Sequence, residues 1–367
     1  MIYLDYHSTC PCDPRVIEAM MPYFSKDFGN PAAIHTMGEK AKNAVIQARN
    51  IVSSVLNASS DNLIFTHGAT ESNNIVLRSM PRGSHILTTN SEHSSVKETL
   101  NELYLNDTID LHHLKIDHDG NIDFKELEDK LSSQPISLVS IIAANNEIGT
   151  IHDLKKIGAL CKQYGVLFHT DATQAFGKIP INVKDINIDA LSFSAHKIYG
   201  PKGIGALYFK DIAAFKCLIT GGRQELLTSG TLNVPAVVGF ARACELMEEE
   251  KAEVERIKKL RDHLLELLQK AGGVNINGTM ENRLYNNLNI TIDKVPAEAL
   301  VMGMDDVCIS TGAACLSGNP KPSHVILALG IEHPECAVRI SLGRWTTEIE
   351  INYAAERMIK IINSTRS

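Results

Sequence analysis

Between residues 38 and 56, Ala41, Ala44, Val45, Ala48, Ile51, Val52, Val55 and Leu56 recur at intervals of three and four, which predicts an amphipathic helix. Short apolar runs then alternate with helix-like segments. These runs fall at 63–65, 85–87, 138–142, 166–168, 191–193 and 205–209. They are continuous rather than alternating, as in strands covered on both faces. The pattern predicts an α/β fold with a mostly parallel sheet flanked by helices. Residues 237–270, with Glu248-Glu249-Glu250-Lys251, read as one long charged helix, solvated on one side and bridging two domains. Beyond Gly272 the pattern restarts with a strand at 288–292, a helix after Pro296 and a helix at 325–329. A strand at 338–341 and a closing helix from Thr347 complete a smaller α+β domain. The division expected is a large domain of residues 12–250 and a small domain of residues 1–11 with 251–367.

Composition adds exclusions rather than detail. The 367 residues are 44% hydrophobic and 22% charged, with no low-complexity tract or internal repeat, as in an ordinary globular protein large enough to bury a deep site. The net charge is -7, and no basic run is interleaved with aromatics, which argues against direct nucleic-acid binding. No segment reaches membrane-spanning length, and Met1-Ile2-Tyr3-Leu4-Asp5-Tyr6-His7 lacks the basic and apolar regions of a secretory signal. A cytoplasmic protein is expected. The eight cysteines are scattered, not packed as a disulfide framework, and Cys161, Cys217, Cys244, Cys308 and Cys336 read as small buried fillers. Cys10-x-Cys12 fits neither a redox pair nor zinc spacing.

Candidate chemistry falls where such a sheet collects ligands, beyond the carboxyl ends of its strands. Ser194-Ala195-His196-Lys197 follows one apolar run and precedes Tyr199-Gly200-Pro201-Lys202-Gly203. A lysine fixed at a buried strand end, beside hydroxyl and imidazole groups, suits a Schiff base to an aldehyde cofactor. A solvated surface lysine is the competing reading. His67-Gly68-Ala69-Thr70-Glu71-Ser72-Asn73 is a small-residue turn opening a helix, whose free N–H groups and positive dipole end suit a phosphate. A glycine turn with Thr70 or Ser72 as N-cap accounts for it equally. Gly200-x-x-Gly203-x-Gly205 leads into a strand and is not a dinucleotide fingerprint.

His93 follows a strand and suits either stacking on an aromatic cofactor ring or capping a helix. Asp171, with Gln174 three residues on, closes another buried run. Its carboxylate needs a positive partner there: a protonated pyridine nitrogen, an ion pair, or a metal shared with His169. For the last, no third or fourth ligand lies at useful spacing. Cys315, in Ser310-Thr311-Gly312-Ala313-Ala314-Cys315-Leu316-Ser317-Gly318, has the surroundings of a loop thiol, which reads as a nucleophile rather than a filler.

Taken together, these segments resemble the NifS/IscS class of cysteine desulfurases, pyridoxal-phosphate enzymes of the aminotransferase-like fold type I. The matching signatures run from Leu4-Asp5-Tyr6 to Arg344. They include Phe28-Gly29-Asn30-Pro31-Ala32, Gly68-Ala69-Thr70-Glu71-Ser72, Asn145-Asn146-Glu147-Ile148-Gly149, Asp171-Ala172-Thr173-Gln174, Ser229-Gly230-Thr231 and Arg339-Ile340-Ser341-Leu342-Gly343-Arg344, besides the Lys197 and Cys315 segments. The resemblance implies that Lys197 holds pyridoxal 5'-phosphate and moves the substrate Cα proton. Asp171 pairs with the pyridine nitrogen, His93 stacks on the ring, and Asn146 and Gln174 bond its phenolic oxygen. Ala69, Thr70, Ser194 and His196 cradle the phosphate, joined by Thr231 from the other subunit of a homodimer. Arg339 clamps the substrate carboxylate.

The implied reaction takes sulfur from L-cysteine, leaving L-alanine and a persulfide on Cys315. A protein of iron–sulfur cluster assembly or tRNA thiolation would then accept the sulfur. No resident metal is implied, only transient ligation of an iron–sulfur cluster by Cys315. The chain departs from the family pattern at Thr228, where an arginine is usual before Ser-Gly-Thr. It departs again at His7-Ser8-Thr9-Cys10, where Ala-Thr-Thr is commoner. The competing functions are a selenocysteine lyase or aminotransferase of the same fold, for which the Cys315 thiol discriminates, and a non-catalytic scaffold, against which Lys197, Asp171 and His93 argue.

Overall fold

The apolar runs do become strands, and the sheet they build sets Lys197, Asp171 and His93 at one edge. The computed structural model describes residues 1–222, 224–311 and 322–367, so Cys315 lies outside the described residues. The strands are β1 (Ile2–Tyr3), β2 (Leu63–Thr66), β3 (Ser84–Thr89), β4 (Ile109–Leu114), β5 (Ile136–Ser140), β6 (Leu167–Asp171), β7 (Ala190–Ser194), β8 (Gly205–Phe209), β9 (Val274–Ile276), β10 (Asn287–Ile292), β11 (Val307–Cys308) and β12 (Ala337–Ser341). The large sheet has the order β2-β8-β7-β6-β5-β3-β4. Its pairings are parallel except at β8, which runs antiparallel to both neighbours. This is the predicted α/β fold with a mostly parallel sheet, here mixed through β8.

Two expectations need correction. β4 was not anticipated, because Ile109-Asp110-Leu111-His112-His113-Leu114 is an edge strand buried only at its ends and contains no continuous apolar run. The single helix expected over 237–270 is two helices, Val234–Glu245 and Met247–Gln269, meeting at Leu246. Their apolar faces serve different cores. The first buries Val237, Phe240 and Ala241 among the strands of the large sheet. The second sends Ile257, Leu260, Leu264 and Leu268 into a separate core with β10 and β12.

That second core includes Leu4, so the start of the chain packs with its carboxyl-terminal third. β1 pairs in parallel with β11, and β10 forms the centre of a three-stranded antiparallel sheet. The closing helix Glu348–Arg366 begins at a Thr347–Glu350 capping box and buries Ile351, Met358 and Ile362. Each such side chain contributes about 1.5–3 kcal/mol by leaving water. The helix Thr36–Val55 matches the predicted amphipathic stretch and buries Ala41, Val45, Ala48 and Val52. Among the described residues no helix is long and apolar enough to cross a membrane. Cys161, Cys244 and Cys336 are buried as expected, whereas Cys217 is exposed on the loop after β8.

Candidate active site

At the carboxyl ends of β2, β3, β5, β6 and β7 the chain turns away from the sheet and leaves a cavity of about 990 Å³. His7, Ser8 and Arg339 close it from the small sheet. The structure brings Ala69, Thr70, His93, Asn146, Asp171, Gln174, Ser194, His196, Lys197 and Arg339 to its wall. Thr231 is exposed and does not line it.

After β2, Gly68 takes φ +153°, a conformation that favours glycine, and becomes the N-cap of the helix Ala69–Arg78. Neither Thr70 nor Ser72 is the N-cap of this helix, which overturns that alternative: the N-cap is Gly68, which has no side chain to offer. The Ala69 N–H instead donates to Ser194 Oγ at 2.8 Å, tying the helix start to the end of β7. Such a terminus, lined by hydroxyl groups, is a general anion site. Nearby Thr228, where the family has arginine, is buried and donates to Glu71 Oε1 at 2.5 Å.

Lys197 ends the single 3-10 turn Ala195–Lys197 that follows β7. Its Nζ donates to the carbonyls of His7 at 2.5 Å and Ser8 at 2.6 Å. Burial, helped by nearby Lys178, lowers its pKa to about 7. The amine is therefore substantially neutral, and nucleophilic, near neutral pH. The Cys10 thiol donates to the Lys197 carbonyl at 3.5 Å, so this cysteine packs behind the lysine.

Asp171 Oδ2 accepts from Asn73 Nδ2 at 2.8 Å and Oδ1 from the Thr173 N–H at 2.9 Å. The metal alternative fails on geometry, because both ring nitrogens of His169 are engaged, by Ser140 Oγ at 2.9 Å and Ser192 Oγ at 3.1 Å. His93 combines two readings: it is the N-cap of the helix Ser94–Leu105, accepting from the Ser95 N–H at 3.1 Å, and it also lines the cavity. Burial first, and Lys197 with it, lowers its pKa, so the ring is neutral. Burial together with Lys197 and Lys202 pushes His196 down to about 3.

Gln174 Nε2 donates to the His7 carbonyl at 2.8 Å. Arg339, on β12, donates from Nη1 to the Asn146 carbonyl at 3.1 Å and from Nη2 to Asp5 Oδ1 at 2.8 Å and Ser8 Oγ at 2.7 Å. Its Nε, Asn146 Oδ1 and Thr173 Oγ1 are buried without a partner. Sequence reasoning did not single out Asp5, His7, Ser8 or Asn73 for the site. His7 and Ser8 hold Lys197 through backbone carbonyls, which no side-chain chemistry announces. Asn73, one turn along the helix after the Gly68 turn, was the one with a legible signal.

Glu92 is fully buried behind His93. Its Oε1 accepts from the Ile142 N–H at 3.0 Å and Thr89 Oγ1 at 2.8 Å, while Oε2 has no partner. Burial raises its pKa from 4.5 to about 8. Within that window the folded chain keeps a proton that the unfolded chain has released, so this group's contribution to stability falls as pH rises. Glu92→Gln removes the titration. Calorimetry should show the variant's thermal midpoint gaining several degrees on the parent between pH 5 and pH 8.5. A difference that does not change with pH would refute the buried proton.

The aminotransferase class-V family model matches residues 2–353. A cysteine desulfurase IscS of Histophilus somni (strain 2336) is 43% identical over 367 residues, covering 96% of this chain and 90% of the relative. A solved structure described as a NifS-like protein superposes with a TM-score of 0.92 at 34% identity, covering 99% of both chains. Another, described as SspA in complex with cysteine, gives a TM-score of 0.82 at 34% identity, covering 95% of this chain and 100% of that one. The strand-end cavity and its lysine thus sit in a chain with full-length similarity to these proteins, and the chain belongs to the aminotransferase class-V family, on its cysteine desulfurase branch.

Proposed function

We propose that this cavity removes sulfur from L-cysteine with pyridoxal 5'-phosphate, giving L-alanine and a persulfide on Cys315. The observation that carries the reading is Lys197, buried at the cavity wall with a pKa near 7 and held by two carbonyls. The residues present fit the cofactor. The N-cap of the helix at Ala69 is Gly68, which offers no side chain, and Asn146 Oδ1 lies buried without a partner among the described residues. Neutral His93 presents an uncharged ring, while Asp171 supplies a fixed carboxylate.

When bound, pyridoxal phosphate supplies an electron sink that makes an amino acid's Cα proton acidic and its Cβ–S bond labile. Lys197 would hold the cofactor aldehyde and later carry the Cα proton. Asp171 would keep a proton on the ring nitrogen. His93 would cover the ring face, and Asn146 and Gln174 would orient the phenolic oxygen. Ala69, Thr70, Ser194 and His196 would hold the phosphate, with Thr231 arriving from a second copy in a homodimer. Phe24, Phe28 and Ile34 give such a copy an exposed apolar surface to cover. Arg339 would bind the substrate carboxylate.

Cys315, as the thiolate, attacks the substrate sulfur. The Cβ–S bond breaks as the new S–S bond forms and its electron pair stays with the three-carbon fragment; the fragment takes up at Cβ the proton given up by the Cys315 thiol, regains one at Cα from Lys197, and departs as alanine. No external oxidant enters the balance. The persulfide then passes to a protein of iron–sulfur assembly or tRNA thiolation. The seven described cysteines are free of disulfides, in keeping with a reducing, cytoplasmic setting. Purified holoenzyme incubated with L-cysteine should release alanine and carry one additional sulfur on the peptide containing Cys315, read by mass spectrometry. Alanine without that added sulfur would remove Cys315 from the reaction.

A further inference from the structure

We propose that Ser8 is a substrate-binding residue, forming with Arg339 a two-donor clamp for the α-carboxylate of the amino acid. The inference rests on the reading of Arg339 as the carboxylate site. Ser8 lines the cavity and is exposed within it. Its Oγ lies 2.7 Å from Arg339 Nη2. A guanidinium has donors only, so the serine oxygen must accept this bond. The hydroxyl's own hydrogen is left to point elsewhere, and among the described residues it finds no acceptor. A hydroxyl that accepts from a cation is polarised into a stronger donor. Ser8 therefore offers the cavity a donor right beside the guanidinium.

The charge arrangement gives that donor something to do. Arg339 Nη2 also donates to Asp5 Oδ1 at 2.8 Å, so the guanidinium meets the cavity already paired with a carboxylate. Its Nη1 serves the Asn146 carbonyl at 3.1 Å, and its Nε is buried without a partner among the described residues. A cation offset in this way pulls less on a substrate carboxylate than a free one. A second donor, fixed against the first, restores bidentate recognition. The segment that carries Ser8 is held next door as well, where the His7 N–H donates to Ser341 Oγ at 2.8 Å.

The test uses holoenzyme of the parent, Ser8→Ala, Arg339→Ala and the double variant, with three probes. L-cysteine is the substrate, L-alanine keeps the carboxylate without sulfur, and cysteamine keeps the thiol and amine without the carboxylate. A donor lost from a charged hydrogen bond weakens binding by about tenfold or more. Ser8→Ala should raise KM for L-cysteine and Kd for L-alanine by about tenfold, with kcat changed less than about twofold and cysteamine affinity unchanged. The double variant should lose less than the product of the two single losses. Equal weakening of cysteamine, or unchanged affinity for L-alanine, would overturn the assignment of Ser8. If Arg339→Ala leaves L-alanine binding intact, it is the reading of Arg339 that fails. The two failures are therefore separable.

Discussion

Lys197→Ala should yield a protein in which borohydride no longer fixes pyridoxal phosphate covalently, and in which alanine production from L-cysteine falls by at least ~10⁴-fold. On the proposed function, two roles would leave with one amine: the covalent hold on the cofactor and the proton carrier at Cα. Positioned acid–base groups alone are worth about 10²–10⁴. Lys197→Arg should fare no better, because a guanidinium keeps the charge but has no neutral nucleophilic form at any accessible pH. A pH signature accompanies the loss. Only the neutral amine attacks the aldehyde, so the rate at which apoprotein takes up pyridoxal phosphate should rise with pH through about 7 and level off above it. An ordinary lysine would still be climbing near pH 10. Persistence of the borohydride-fixed link in Lys197→Ala would place the Schiff base elsewhere.

Much of this site was legible because the chemistry-bearing side chains follow apolar runs that could only be strands covered on both faces. Lys197, Asp171 and His93 each stand a few residues past such a run, and the sheet gathers those ends to one edge. What escaped the sequence was of two kinds. β4 hid because an edge strand needs no continuous apolar run, and the break at Leu246 hid because a helical period cannot say which core a face will meet. The other kind is the backbone: His7 and Ser8 fix Lys197 with carbonyl oxygens supplied by the start of the chain, nearly 200 positions away. Leu4, packed in the second core, anchors the segment that brings them there. Side-chain patterns carry no trace of such contacts.

Asp171→Asn should retain the fold and the covalently held cofactor, yet lose on the order of a thousandfold in kcat, the consequence of a ring-nitrogen pKa shifted by ~3 units. The substitution is nearly isosteric, and its neighbours can adapt to it. Asn73 now donates to both Asp171 Oδ2 and Ser95 Oγ, leaving its own Oδ1 buried without a partner. Turning that amide over would present Oδ1 to the side-chain amide introduced by the substitution, while the Thr173 N–H keeps an oxygen to bond. Hydrogen bonding at position 171 therefore survives at the expense of the Asn73–Ser95 bond, since the Ser95 hydroxyl hydrogen is engaged by His93 Nδ1, and the charge is removed. On the proposed function, nothing else at the end of β6 would hold a proton on the ring nitrogen, and the electron sink would weaken for every substrate alike. Measured kcat within tenfold of the parent, with the cofactor still fixed by borohydride, would mean that Asp171 orders Asn73 and Thr173 but takes no electrostatic part. Loss of kcat with an unchanged thermal midpoint separates the charge from the scaffold it is built into.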